Sequence, residues 1–387
     1  MTPSAPRSHG LDTLRSLAIL SVMAFHVYTF HDVGNMSAPL VFAARAGWMG
    51  VDLFFVLSGY LIGAQLLRPY RRNERPHLWG FYRSRFYRIL PAYLVVLASY
   101  YIFPVWRESP NLPPLWQFLT FTQNLFVDYR VNQAFSHAWS LCIEEHFYLF
   151  LPLVVLLMMG KPSMRKTATV LGGLVLFGVC VRAFILFHVL RPLASGGQSF
   201  GFVYLVRIYY PTYSRLDGLL AGVTIALVKV FRPVWWSALA KRGHTLFCLG
   251  LCMVGVAAWL FKDRWVSVSG ASAFGTVVGF PMLSLGLGLI VASALSANGL
   301  LSRVKIPGAK LIATLAYSLY LTHKELIHLV DFCIPAIAQA HILVWLVVYA
   351  FSCLIFAAAL YLCVERPFLI LRDISSISRV NPSPSRN

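Results

Sequence analysis

Residues 11–30 read LDTLRSLAILSVMAFHVYTF. A helix needs about 20 mostly apolar residues to cross a bilayer, and this stretch has that length and character. Yet it carries Arg15 and His26, with Asp12 one turn ahead of the arginine. At about 100° per residue, the step from Arg15 to His26 is three turns plus about 20°, so the two share one face about 16 Å apart along the axis. Asp12 lies near that face and can pair with Arg15. A face that is polar at both ends and apolar between does not suit lipid, and it is expected to turn into a bundle or a cavity. The structural alternative is a buried histidine beside an arginine that snorkels to the interface.

The rest of the chain has the same character. Of its 387 residues, 58% are hydrophobic and only 12% charged, about half the charged fraction of a soluble domain. Apolar runs of about 20 residues recur between short polar loops, the pattern of a polytopic helical membrane protein. Continuous runs of this kind argue against an outer-membrane barrel. The first run is too long for a cleaved signal peptide and no small-x-small site follows it. The seven cysteines are scattered; even the nearest pair, Cys248 and Cys252, reads as small apolar packing rather than metal or disulfide chemistry.

Ten spans are expected, at 11–30, 46–67, 88–106, 138–159, 168–190, 211–229, 244–261, 275–296, 309–330 and 341–364. The expected fold is an all-α integral membrane bundle of about ten transmembrane helices with both termini cytoplasmic. A cytoplasmic tail (1–10), a membrane domain (11–371) and a flexible cytoplasmic tail (372–387) make up the chain. The net charge of +19 follows this topology. Arg68, Arg71, Arg72, Arg75, Arg83 and Arg85 fall in the first cytoplasmic loop. Lys161, Arg165 and Lys166 fall in the second, Lys229, Arg232, Lys241 and Arg242 around the third, and Arg303, Lys305 and Lys310 around the fourth. The opposite loops 31–45 and 331–340 hold one basic residue between them, Arg45. The positive-inside rule therefore accounts for most of the charge, and a nucleic-acid partner is not expected. The segment 190–211, with Gly196, Gly197 and an aromatic run, reads as an interfacial or re-entrant piece.

Ionisable residues inside a membrane default to functional sites, and five spans carry them at comparable depth in the outer half. They are His26, Asp52 in GVDLFFVLSG, Glu144 and Glu145 in HAWSLCIEEHFY beside Trp139 and Ser140, Arg215 and Asp217 in YSRLDGLLAG, and His323 and Glu325 in YSLYLTHKEL. Each has a structural alternative. Asp52 could cap a helix start, Trp139 could belong to an interfacial belt, and Arg215 and Asp217 could pair. Glu144 and Glu145 are adjacent, so only one is expected to face the interior. A second group gathers at the cytoplasmic face: Arg15, Arg85 and Arg88 in FYRSRFYRILPAY, and Glu365 in VERPFL. Forked arginine donors suit phosphates, although the positive-inside rule alone also places arginines there.

A substrate with a phosphorylated head and a long thin arm would join the two groups, and acyl-CoA has that shape. Its phosphates would rest on arginines and its thioester would reach His26, whose near-neutral titration suits it to accept a proton from an attacking hydroxyl. A carboxylate near the imidazole, for which Glu145 is the candidate, would orient it.

The same motifs, in order along nearly the whole chain, resemble those of the bacterial membrane acyltransferase-3 family. LDTLRSLAILSVMAFH is similar to its first span, GVDLFFVLSGYLIG to its second, and RFYRILPAY to its RxxR motif. AWSLCIEEHFYLFLP is similar to WSLxxEExFY, YSLYLTHKE to YSxYLxH, and the closing ERPF also fits. The resemblance implies an inner-membrane enzyme that moves an acyl group, often acetyl, from cytoplasmic acyl-CoA (acetyl-CoA) to a hydroxyl of a glycan or other acceptor, with no metal. It implies a catalytic His26 with Arg15 as its partner, acyl-CoA contacts at Arg85 and Arg88, and a cytoplasmic-face role for Glu365. Asp52, Trp139, Ser140, Arg215 and His323 are the expected acceptor side. The sequence departs from the family at His146, where glutamine is usual, and in YLTHKEL, where Thr322, Lys324 and Glu325 replace the common residues. A stand-alone form without the family's frequent hydrolase-like C-terminal domain is expected. A proton-coupled exporter is the rival reading, and a glycan-binding protein without chemistry is a third.

Overall fold

The computed structural model describes residues 8–32, 36–128, 130–159, 163–195, 200–261, 273–339 and 341–377. Residues 1–7 and 378–387 of the expected tails, Lys161, Gly196 and Gly197 lie outside the described residues. Among the described residues there is no strand. The principal helices are α1 (His9–Phe30), α2 (Met49–Leu67), α3 (Leu78–Ile102), α4 (Trp139–Met159), α5 (Met164–Ile185), α6 (Asp217–Phe231), α7 (Gly243–Leu260), α8 (Phe280–Ala294), α9 (Ala309–Cys333) and α10 (Ile342–Leu360).

Seven helical stretches among the described residues are long and apolar enough to cross a membrane, and eight if α6 and the short helix Pro233–Lys241, bent by 111° from it, count as one span. The chain is a multi-pass helical membrane protein. Pro233 explains the bend, because proline at this point cannot continue the preceding helix. Helices α3 and α9 have 25 residues each, enough for about 37 Å, but are more polar. On α9 two charges are turned inwards, Lys324 and Glu325, which are 2% and 0% exposed, and the α3 arginines are half-buried.

Two boundaries differ from expectation. Helix α3 starts at Leu78 rather than 88, so Arg83 and Arg85 lie on the helix and not in a loop. His77 makes this early start possible by capping: its Nδ1 accepts the Gly80 N–H at 2.8 Å. At the other end, α10 continues through a wide turn at Tyr361–Glu365 into Arg366–Ile377. Helix therefore extends into the stretch expected to be tail.

Helix α1 packs between α2 and α9. The Ser16 hydroxyl donates to the Ala309 carbonyl at 2.6 Å and so ties α1 to α9. The closest helix pair is α2 with α6, and its sequence explains the approach. Gly222 on α6 meets Val56, Gly59 and Tyr60 on α2, Gly59 meets Leu219, Gly63 meets Val223 and Ala226, and Gly218 meets Phe55. A Cβ on Gly222 would lie 2.2 Å from the Val56 carbonyl oxygen, and one on Gly59 would lie 2.1 Å from that of Leu219. In lipid, where hydrophobic burial gives no drive between helices, such close backbone packing supplies the association. It fixes the wall opposite α1 and holds the polar face of α1 inside the bundle.

Candidate active site

Each end of the polar face of α1 opens into a cavity. At the Arg15 end is a cavity of about 330 Å³ whose lining includes Arg15, Arg85, Arg88, Glu144, Glu145, Tyr148 and Tyr317. Arg15, Leu61 and Gln65 also line an adjoining space of about 670 Å³ that adds Arg68, Arg72 and Lys229. At the His26 end is a cavity of about 700 Å³, lined by His26, His137 and Lys324 and by the rings of Trp48, Trp139, Tyr209 and Tyr210. The arginine cavity and the histidine cavity share Val51 and Tyr320 in their walls. The Tyr320 hydroxyl lies 2.7 Å from Ser140 Oγ and donates to the His137 carbonyl oxygen, so a tyrosine side chain held by hydrogen bonds forms the partition.

The imidazole of His26 is held in a definite way. His26 Nδ1 lies 2.8 Å from His323 Nε2. His323 Nδ1 lies 3.1 Å from the Leu319 carbonyl oxygen and 2.9 Å from that of Tyr320. Carbonyl oxygens only accept, so Nδ1 of His323 carries a proton. In neutral His323, Nε2 is then an acceptor, and Nδ1 of His26 must donate to it. The proton of neutral His26 therefore sits on Nδ1 and leaves Nε2 with its lone pair. His323 is fully buried and acts from behind the cavity wall. The pair plays the part that a carboxylate plays for histidine in a catalytic triad, which is to select one tautomer and one ring orientation.

The remaining expected residues are distributed as follows. Asp12 lies 3.7 Å from Arg15 and is buried. Arg85 donates to Gln65 Oε1 at 3.3 Å. Both Glu144 and Glu145 line the arginine cavity, against the expectation that only one would face inward. The cavity is wide enough at α4 to take adjacent positions. Glu144 accepts from Ser58 Oγ at 3.0 Å and from the Tyr148 hydroxyl. Glu145 lines the arginine cavity, not that of His26. Glu365 is buried and accepts from Ser318 Oγ at 2.9 Å. Trp139 lines the histidine cavity and Ser140 the arginine cavity.

Asp52 and Arg215 bond to each other, with Arg215 Nη2 at 3.0 and 3.1 Å from the two carboxylate oxygens. Both are buried. The guanidinium lies over the rings of Tyr209 and Trp139, at 4.6 and 5.7 Å from their centroids, so the pair backs the aromatic wall instead of lining it. Asp217 pairs with Arg182 at 2.7 Å, not with Arg215. Among the described residues, no group of three or more His, Cys, Asp or Glu side chains is disposed to hold a metal ion.

A family profile described as an acyltransferase domain matches residues 8–364. The chain belongs to the acyltransferase-3 family. It is 26% identical over 348 residues to the O-acetyltransferase OatA of Staphylococcus aureus (strain NCTC 8325), covering 83% of this chain and 51% of that protein. It is 26% identical over 338 residues to the peptidoglycan O-acetyltransferase OatA of Listeria monocytogenes, covering 83% of this chain and 49% of that protein. The chain thus spans about half the length of the curated relatives it matches. No solved structure matches it.

Within this acyltransferase-3 chain, sequence reasoning passed over His137, Tyr320, Arg182 and Glu108. His137 opens the quoted stretch HAWSLCIEEHFY, and Tyr320 lies inside YSLYLTH, so both were within stretches already singled out. Arg182 sits in an otherwise apolar span, where an intramembrane arginine is itself a signal. Glu108, in the loop after α3, gave none.

Proposed function

We propose that this protein transfers an acyl group, acetyl in the simplest case, from acyl-CoA to a hydroxyl of a glycan or similar acceptor across the membrane. The arginine cavity and its basic annex hold the phosphates on the cytoplasmic side. The acyl arm passes the Tyr320 partition, and the acceptor occupies the histidine cavity on the outer side. The observation that carries this reading is the free Nε2 of His26, held in one tautomer by His323 at the wall of an aromatic-lined cavity. The basic loops support a cytoplasmic arginine end. The relatives named above, O-acetyltransferases including a peptidoglycan O-acetyltransferase, support the reaction class.

In this mechanism the acceptor oxygen attacks the thioester carbon while its proton passes to His26 Nε2. The tetrahedral centre then expels the CoA thiolate, the C–S bond breaks, and the proton on His26 goes to the departing sulfur. The developing imidazolium is stabilised through its Nδ1–H bond to His323. General-base help of this kind is worth about 10²–10⁴-fold in rate. Transfer is direct, so the enzyme itself carries no acyl group at any stage.

The test is mass spectrometry of surface glycans from cells that make the wild-type protein or His26→Ala. Acetylated glycan with the wild type and none with the variant, at equal membrane abundance, is the expected result. Equal acetylation with both would refute the assignment.

A further inference from the structure

His137 is a buried polar side chain that the mechanism above leaves unused. It is 2% exposed, and it lines the histidine cavity beside His26. Its ring centroid lies 6.2 Å from that of His26 and 5.1 Å from that of His323. Neither ring nitrogen makes a hydrogen bond of normal geometry, although the Leu321 backbone lies beside the ring. A buried polar group whose hydrogen bonding is incomplete is costly and rare, and here it borders a cavity that a ligand would fill.

The backbone around His137 is fixed by bonds from several directions. Phe135 has the left-handed value φ 56°, which costs a residue with a Cβ. Its N–H donates to Glu108 Oε1 at 2.9 Å. The same carboxylate oxygen takes Lys324 Nζ at 2.9 Å, and Lys324 also donates to Ser136 Oγ at 2.7 Å. The His137 carbonyl takes the Tyr320 hydroxyl. Glu108, Lys324 and Tyr320 thus hold the loop by its neighbours and its main chain, and leave the imidazole of His137 open.

We propose that His137 binds a second hydroxyl of the acceptor, adjacent to the one that His26 deprotonates, and so selects polyols over simple alcohols. This rests on the acyl-transfer reading. Two neighbouring oxygens, each at about 2.9 Å from a ring nitrogen, fit between imidazoles at this spacing. A hydroxyl can give or take a hydrogen bond, so it satisfies His137 whichever nitrogen carries the proton. The rings of Trp139 and Tyr209 beside it offer the flat apolar faces that a sugar ring packs against.

The experiment uses the full-length protein in nanodiscs with acetyl-CoA and two small probes, trans-cyclohexane-1,2-diol and cyclohexanol, and measures ester formation as kcat/KM. A site built to bond a hydroxyl rejects the analogue lacking it, because its own buried group is then left unpaired. Wild type is expected to prefer the diol about 10-fold or more. His137→Phe and His137→Leu, two apolar shapes that guard against a folding failure of either, should bring the ratio to the statistical value of about 2 while cyclohexanol turnover persists. His137→Gln, which keeps a hydrogen-bonding group, should recover part of the preference. A ratio unchanged in the apolar variants, or no preference in the wild type, overturns the proposal. Transfer to neither alcohol by wild-type protein that binds acetyl-CoA overturns the acyl-transfer reading, and this inference with it.

Discussion

His26 Nδ1 lies 2.8 Å from His323 Nε2, and the far nitrogen of His323 is anchored on main-chain carbonyls of its own helix. The proton positions along this chain are set by groups that can only accept. Replacing His323 by phenylalanine removes the acceptor for His26 Nδ1–H while keeping an aromatic ring in the space. Acyl transfer by His323→Phe should fall about 100-fold in kcat, in line with the loss of an orienting partner. Affinity for acyl-CoA, measured by calorimetry, should stay within about 2-fold, because the phosphate contacts proposed above lie in the other cavity. A loss confined to affinity would contradict the assigned role.

Arg85 and Arg88 line the arginine cavity together with Arg15. Hydrogen bonds to a charged group contribute about 1.5–3 kcal/mol each. Arg85→Ala combined with Arg88→Ala should therefore weaken CoA binding by at least about 100-fold. Arg85→Lys keeps the charge but loses the fork, and should fall between. Unchanged affinity in the double variant would return these arginines to a role in topology alone.

The Asp52–Arg215 pair is buried on both sides, with side-chain exposures of 4% and 0%. Breaking such a pair leaves a charge uncompensated and costs about 3–5 kcal/mol. Arg215→Met should lower the thermal unfolding midpoint of the detergent-solubilised protein sharply. Adding Asp52→Leu should restore most of the loss, because an apolar pair of similar volume is often no worse than an ion pair. A double variant no more stable than Arg215→Met would contradict this account.

Gly222 meets the Val56 carbonyl so closely that no side chain fits. Gly222→Leu should separate α6 from α2 and destabilise the protein by about 3 kcal/mol or more. Gly172, whose added Cβ would meet nothing within 4 Å, is the control position, and its leucine variant should unfold near the wild-type temperature.

The parts of this fold that are legible in the sequence are those with a local signal. Helix α1 announces its inward face through Arg15 and His26. Arg15, Arg85, Arg88 and Trp139 were named from motif and depth, and each lines a cavity. What the sequence hides is pairing across distance. Asp217 looks like a partner for Arg215, two residues away, but Arg215 lies in the turn before α6 and reaches Asp52, while Arg182 takes Asp217 from another helix. Glu108 gains its role only because the fold brings its loop against Lys324 and Phe135. The start of α3 differs because Arg83 and Arg85 read as a loop, whereas both lie on the helix and Arg85 lines a cavity. Glu145 was linked to His26 by proximity in depth, but helix rotation puts it in the arginine cavity.

The most direct test of the central claim is a cryo-EM structure of the protein with a non-hydrolysable acyl-CoA analogue. Phosphates are expected against Arg85 and Arg88, with the arm past Tyr320 and the acyl carbonyl carbon close enough to His26 for a bridging hydroxyl to reach Nε2. An acyl group that ends on the arginine side of Tyr320, or an analogue bound outside both cavities, would contradict that claim.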